Sequence, residues 1–232
     1  METFTFSEVK QRTVEDEIAL TLRNAIVSGR FQPGSRINES EVAKQMNVSR
    51  IPIREAIKKL EQEGLLVRYP NRRVFVVSFS EKDVMEVFSL RSNLECMTFD
   101  WALPNMDGND YNVLRELISQ QEGAISQQNY EELARLDMRF HEYILNKAAH
   151  SRLLKSWYEQ HAQCQMLLNL RFRTMPEYTP ETVLQDHEAI LDAMEDGNIQ
   201  SAISLTKQIS ERVADECIQT LRLLLEKEDK LS

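Results

Sequence analysis

Read for apolar spacing alone, the chain opens with short segments and continues with long ones. Over residues 13–28, TVEDEIALTLRNAIVS, Val14, Ile18, Leu22, Ala25 and Ile26 recur at helical intervals, and Thr13 followed by Asp16 suits an N-cap. Gly29, Pro33 and Gly34 then break the pattern with a turn. Asn38 with Glu41 is a capping-box pattern that opens a short helix over about 39–46, with Val42, Ala43 and Met46 inward and Asn47 suited to the left-handed position after it. Ser49 is the next N-cap, and Pro52 falls in the first turn of a helix over 50–63, where a missing N–H costs little. Its apolar face is Ile53, Ala56, Ile57 and Leu60, and Gly64 stops it. Residues 65–69 and 74–77, about a turn at Pro70 and Asn71, predict a hairpin. Residues 10–77 thus read as a three-helix unit with a β-wing.

From Ser80 the stripes lengthen. Ser80 with Asp83 caps a helix over 81–103 that ends before Pro104, and residues 105–109 form a loop. Helices follow over 109–127, 129–148, 151–173, 180–196 and 198–227, with Thr179 as a helix start and Gly197 as a break. The expected fold class is mainly α. An N-terminal winged helix-turn-helix domain, residues 1–77, precedes an all-α bundle of six or seven helices, residues 78–232.

Composition narrows the function. With 42% hydrophobic and 28% charged residues, the chain can build cores, and no apolar run reaches the roughly 18–20 residues that cross a bilayer. METFTFSEVKQRTVEDE carries no apolar signal segment, so a cytoplasmic location without membrane contact is expected. Cys96, Cys164 and Cys217 lie far apart and read as reduced thiols. The net charge of −9 is uneven. Residues 1–77 hold 13 Lys and Arg against 10 Asp and Glu, a net of +3, and residues 78–232 hold 15 against 27, a net of −12. The basic part is the candidate for nucleic acid, and the acidic part repels it.

Placement of the charge carries more than its sum. Arg50, Arg54 and Lys58 follow one another at i, i+4 steps opposite the apolar face of their helix. Like charges so stacked do nothing for the helix, and a polyanion would supply their partner; a solvated face is the plainer alternative. Ser49 and the helix N-terminus add donors for a phosphate, and arginine can fork onto guanine in the major groove. Arg72 and Arg73, at the wing tip, are placed for the adjacent backbone or minor groove.

The stretch PGSRINESEVAKQMNVSRIPIREAIKKLEQEGLL, residues 33–66, resembles the winged-helix domain of the GntR family of bacterial transcription regulators. It carries the family's Pro-Gly, an acidic helix start, Ser-Arg-x-Pro-x-Arg-Glu-Ala and Leu-x-x-x-Gly-Leu. The resemblance implies that Arg50 and Arg54 read bases or clamp phosphates and that Ser49 meets the backbone. Ser40 stands where relatives often have a DNA-contacting arginine, and Asn71-Arg72-Arg73 replaces a glycine-bearing wing tip.

Residues 80–210 resemble the all-helical FCD effector domain of the FadR subfamily, through Leu90-Arg91-x-x-Leu94-Glu95, Asp137-x-x-Phe140-His141 and His187-x-x-Ile190-x-x-Ala193. Asp137 and His141 lie one helical turn apart, a spacing that can grip one ion, and His187 could close the set. The resemblance implies a divalent metal (zinc, nickel or manganese) on these residues and an effector pocket of Arg91, Glu95, Asp137, His141 and His187. A fourth histidine is expected near position 209, where Lys207-Gln208-Ile209-Ser210 stands instead, so a metal-bearing triad and a metal-free pocket both remain open. Arg91 and Glu95 are either pocket residues or a surface ion pair. Arg171 and Arg173 are secondary candidates for an anion, and His150 and His161 read as ordinary polar residues. The expectation is a homodimeric, ligand-responsive transcription regulator, a repressor rather than an enzyme. It would bind a palindromic double-stranded DNA operator and take a small carboxylate or sugar-acid effector. A metal-dependent enzyme built on Asp137, His141 and His187, or a sensor acting through protein contacts, are the alternatives.

Overall fold

The computed structural model describes residues 13–174 and 180–229, so Thr179 lies outside the described residues. Thr13 and Asp16 form the expected capping box at α1 (Val14–Val27), which buries Ile18, Leu22 and Ile26 but leaves Val14 at the surface. The side-chain oxygen of Asn38 accepts from the N–H groups of Ser40 and Glu41, opening α2 (Glu39–Gln45). Asn47 takes the left-handed conformation, φ +52°, and turns the chain into α3 (Arg50–Gln62). Gly64 closes α3 at φ +68°, where any Cβ would also overlap Gln163 Nε2 at 2.1 Å.

The hairpin is larger than expected. Arg36 and Ile37, too few for periodicity to reveal, form β1 (Arg36–Ile37), which pairs antiparallel with β3 (Val74–Val76). β3 also pairs with β2 (Leu66–Arg68), giving a three-stranded wing in the order β1-β3-β2.

The second half is a helical bundle. Ser80 and Asp83 cap α4 (Glu81–Ala102), and a 3-10 turn over Leu103–Asn105 absorbs Pro104. Asp107 and Asp110 form a further capping box at α5 (Gly108–Ser126), shortening the expected loop. α6 (Tyr130–Lys147), α7 (Ser151–Thr174), α8 (Thr182–Glu195) and α9 (Ile199–Asp229) complete it. The helix expected from 180 starts two residues later, because Pro180 and Glu181 form a turn. Mainly helical, with a small winged module ahead of six long helices, the described residues have the architecture expected.

Two apolar cores divide the chain unequally. One lies inside the bundle around Phe88, Phe140, Trp157 and Leu168. The other lies between α1, α3 and the wing, and α7 enters it with Ala162, Met166 and Leu170. Polar bonds reinforce that entry: Asn169 Nδ2 donates to the Val27 carbonyl at 2.7 Å and Gln163 Nε2 to the Gly64 carbonyl at 2.9 Å. No helix among the described residues is long and apolar enough to cross a membrane.

Candidate functional site

The first candidate site is an exposed basic cleft. Ile53, Ala56, Ile57 and Leu60 are fully buried, which fixes the orientation of α3 and turns Arg50 and Arg54 outward. Their side chains remain 57% and 54% exposed. Of the residues singled out in the sequence, Ser40, Arg50, Arg54, Arg72 and Arg73 line one cleft of about 530 Å³, together with Arg36, Arg68 and Glu39. Ser49 holds the N-cap position of α3 without a side-chain cap bond, and Lys58 pairs with Glu55 at 2.7 Å; neither lines the cleft.

The arginines do not lack a protein partner, as the sequence suggested. Glu39, at the start of α2, accepts from Arg54 Nε at 2.9 Å and Arg68 Nη1 at 3.3 Å, and lies 4.0 Å from Arg50. Burial pushes the Glu39 carboxyl up, but Arg54 and Arg68 outweigh it and hold the group below its ordinary range. At the wing tip Arg72 adopts φ +63°, a left-handed conformation that glycine takes without strain. Its N–H donates to the Tyr69 carbonyl at 2.9 Å, and Asn71 Oδ1 accepts from the Arg73 N–H at 3.0 Å.

The second site is buried inside the bundle. Arg91 and Glu95 from α4, Asp137 and His141 from α6 and His187 from α8 all line one chamber and are all buried. Arg91 and Glu95 are therefore no surface pair. Arg91 spends each nitrogen on the protein: Nε on Glu95 at 2.7 Å, Nη1 on Cys164 Sγ at 3.1 Å and Nη2 on Asp137 Oδ2 at 3.2 Å. Burial raises the Glu95 and Asp137 carboxyls, yet Arg91 and the histidines outweigh it, and both stay below the usual carboxylate range.

The two imidazoles are held by their outer nitrogens. Glu95 Oε2 lies 3.2 Å from His141 Nδ1, and Gln121 Oε1 lies 2.8 Å from His187 Nδ1. Both partners accept, so Nδ1 carries a proton in each ring and the two Nε2 atoms face inward. The Nε2 atoms are 3.2 Å apart, and His187 Nε2 is 3.6 Å from Asp137 Oδ1. Burial pushes the His187 imidazole down to about 3, so it is neutral at physiological pH, and Phe140 stacks on it at 4.1 Å. Two ring nitrogens and a carboxylate oxygen thus converge in the buried chamber, an arrangement that a cation between them would satisfy.

That donor set fits a divalent transition metal. Two donors each about 2.1 Å from one ion lie roughly 3.0–3.5 Å apart, close to the separations here. All three donor atoms lie within 4.8 Å of one another. Position 209, where a fourth ligand was expected, is Ile209 on the chamber wall beside Thr206 and Ser210. Free volume in the chamber is about 30 Å³, room for one or two water molecules. Phe88 and Ser210 also line a neighbouring groove of about 270 Å³, and Ser210 Oγ donates to the Phe88 carbonyl at 3.0 Å.

Arg171 lines the chamber and pairs with Glu216 at 2.6 Å, whereas Arg173 turns away and donates to the Ser28 carbonyl of the N-terminal module. His150 Nδ1 accepts from the Leu153 N–H at the start of α7, and His161 packs against Trp157. Glu39, Arg68, Gln121, Cys164 and Thr206 escaped the sequence reading. Gln121 and Thr206 had a signal, each being a polar residue on the inward stripe of its helix.

Comparison with known proteins bears on both sites. A family model described as "Bacterial regulatory proteins, gntR family" matches residues 14–76, and an FCD domain model matches residues 86–212. Over 182 residues the chain is 31% identical to an HTH-type transcriptional regulator of Bacillus subtilis, YdhC, covering 78% of this chain and 80% of that one. It is 29% identical over 181 residues to the gluconate operon transcriptional repressor of Bacillus licheniformis, covering 76% and 74%. In fold it superposes on Escherichia coli McbR/YncC with a TM-score of 0.77 at 18% identity, covering 90% and 99% of the two chains.

Proposed function

Because the chain belongs to the GntR family of bacterial regulatory proteins, with an FCD domain spanning more than half its length, we propose that it is a homodimeric repressor relieved by a small carboxylate. It is a DNA-binding transcription regulator; the alternative of a metal-dependent enzyme on the bundle falls with that membership. Acting on chromosomal DNA, it would work in the cytoplasm.

In this reading α3 enters the major groove, where Arg50 and Arg54 meet bases or phosphates, and Arg72 and Arg73 hold the neighbouring backbone. Glu39 holds Arg54 and Arg68 together before DNA arrives. A two-fold dimer would present two such helices about one helical turn apart, which demands a palindromic operator.

The observation that carries ligand response is the charge of the buried chamber. Arg91 opposes Glu95 and Asp137, leaving a net of −1 when the histidines are neutral, while Arg171 is balanced by Glu216. Asp137, His141 and His187 would hold a divalent metal, which when bound polarises and anchors a carboxylate. A divalent metal held there would bring the cluster to +1, and one carboxylate would return it to zero. Arg91 and Glu95 act through others in this scheme, Arg91 fixing Asp137 and Glu95 fixing His141. The relative that represses a gluconate operon is consistent with a sugar-acid effector. Such a molecule needs more than 30 Å³, so its entry would separate Phe88 from Ser210 and shift α9 against α4. A ligand that binds only the opened form moves the equilibrium towards it.

Fluorescence anisotropy on DNA from the gene's own upstream region tests this. Arg50→Ala with Arg54→Ala should abolish specific binding, and an acid from a panel of sugar and organic acids should weaken wild-type binding, less so after chelation. Unchanged operator affinity in the double variant would refute the reading.

A further inference from the structure

The α9 wall of the buried chamber carries a polar atom that the fold leaves over. Thr206 is 3% exposed, and its Oγ1 has no hydrogen-bond partner among the described residues. Helical threonines ordinarily turn the hydroxyl back onto the carbonyl one turn earlier. Thr98 and Thr220 do so here, each at 2.9 Å, onto Leu94 and Glu216. Thr206 forgoes that bond and lines the chamber instead. A buried hydroxyl without a partner weakens a fold, and such groups mark places where something outside the chain completes the pairing.

The surroundings say what that something is. One turn on, the Ser210 hydroxyl is committed to the Phe88 carbonyl, and Ile209 and Val213 are apolar, so α9 offers one polar contact. Asp186 lines the same chamber with its charge met by Arg212, adding an acceptor to the wall. A neutral group that both donates and accepts suits this wall, and an alcohol is such a group.

We propose that Thr206 binds a hydroxyl of the effector, which is therefore a hydroxy acid: its carboxylate lies at the Asp137–His141–His187 end and its alcohol oxygen on Thr206 Oγ1. The inference rests on the effector-pocket reading above and narrows the ligand class. Acids without a hydroxyl leave Thr206 unsatisfied.

Calorimetric titration of the full chain with matched acids tests it, using lactate against propionate, malate against succinate and gluconate against hexanoate. In at least one pair the wild type should favour the hydroxy acid about 10-fold or more. Thr206→Val should cut that preference to below about 3-fold, while Thr206→Ser keeps it. The ligand-free Thr206→Val protein should also melt at or above the wild-type temperature, because an orphaned hydroxyl is gone; Thr206→Ala repeats the binding test if valine does not fold. Acids that bind without hydroxyl preference, or a preference that survives Thr206→Val, overturn the role of Thr206 alone. Failure of every acid to bind overturns the effector pocket and this inference with it.

Discussion

Replacing Arg91 by methionine keeps an unbranched apolar stem while removing a cation that two buried carboxylates share. Arg91, Glu95 and Asp137 are 6%, 5% and 6% exposed, so water cannot take over for the lost charge. Removing one partner of a buried pair costs about 3–5 kcal/mol. A ceiling comes from protonation: taking up a proton at pH 7 costs a carboxyl of ordinary pKa near 4.3 about 4 kcal/mol. Glu95 keeps His141 and the Trp157 indole N–H at 3.4 Å, so the loss should lie near 4 kcal/mol rather than at twice the ceiling. The pH dependence has a definite sign. In the wild type the lowered carboxyls contribute stability that is present above the unfolded range and lost as pH falls through their folded values. In the variant burial is no longer offset by Arg91, so the carboxyls titrate high, and the deficit shrinks towards pH 5 by about 1.4 kcal/mol per pH unit for each proton retained. Urea unfolding followed by circular dichroism at pH 7.5 and 5.0, in buffer with chelator, measures both. A deficit below about 1 kcal/mol at pH 7.5, or one equal at the two pH values, refutes the argument.

Four other outcomes follow from the geometry. Arg72→Gly relieves the left-handed backbone at the wing, so stability should hold or rise by up to about 1 kcal/mol while the salt slope of DNA binding falls by about 1 per protomer. Lower stability with an unchanged slope would contradict it. Glu39→Gln removes the anion among Arg50, Arg54 and Arg68, so affinity for scrambled duplex should rise several-fold and the ratio of operator to scrambled affinity should drop; anisotropy on the two duplexes reads both. Asn169→Ala breaks the bond from α7 to Val27, and effector affinity should stay within about 2-fold while the effector's influence on DNA binding falls about 5-fold. Asp110 is held down to about 2 by its bonds from Lys147 and Tyr143, so it stabilises above its ordinary 3.8 and that share is lost as pH falls towards 2. The gap between wild type and Asp110→Asn in urea midpoint should therefore close between pH 4 and pH 2.

Elements with strong periodicity or a capping signal were legible in the chain. The apolar face of α3 appears residue for residue, and the capping boxes at Thr13 and Ser80 form as the spacing requires. β1 was not legible, since two residues carry no alternation, and the start of α8 was masked by a proline that suits a turn as well as a first helical position. At the sites, one-turn spacing brought Asp137 to His141 and Arg91 to Glu95, because a helix fixes that relation locally. Glu39 with Arg68, or His187 with Gln121, meet only through packing between elements 29 and 66 positions apart. A contact of that kind leaves no trace in spacing.

The sharing of α7 between two cores limits how this protein can be taken apart. A fragment ending at residue 77 would lose Ala162, Met166 and Leu170 from its core, where α7 packs on α1, leaving an apolar socket open to water and to other fragments. A chimera carrying a foreign sensor behind residues 1–77 must bring its own plug for that socket. Recombination that respects only the sequence boundary should yield sticky, poorly folding hybrids, whereas grafts that carry α7 along with the winged module keep the fit.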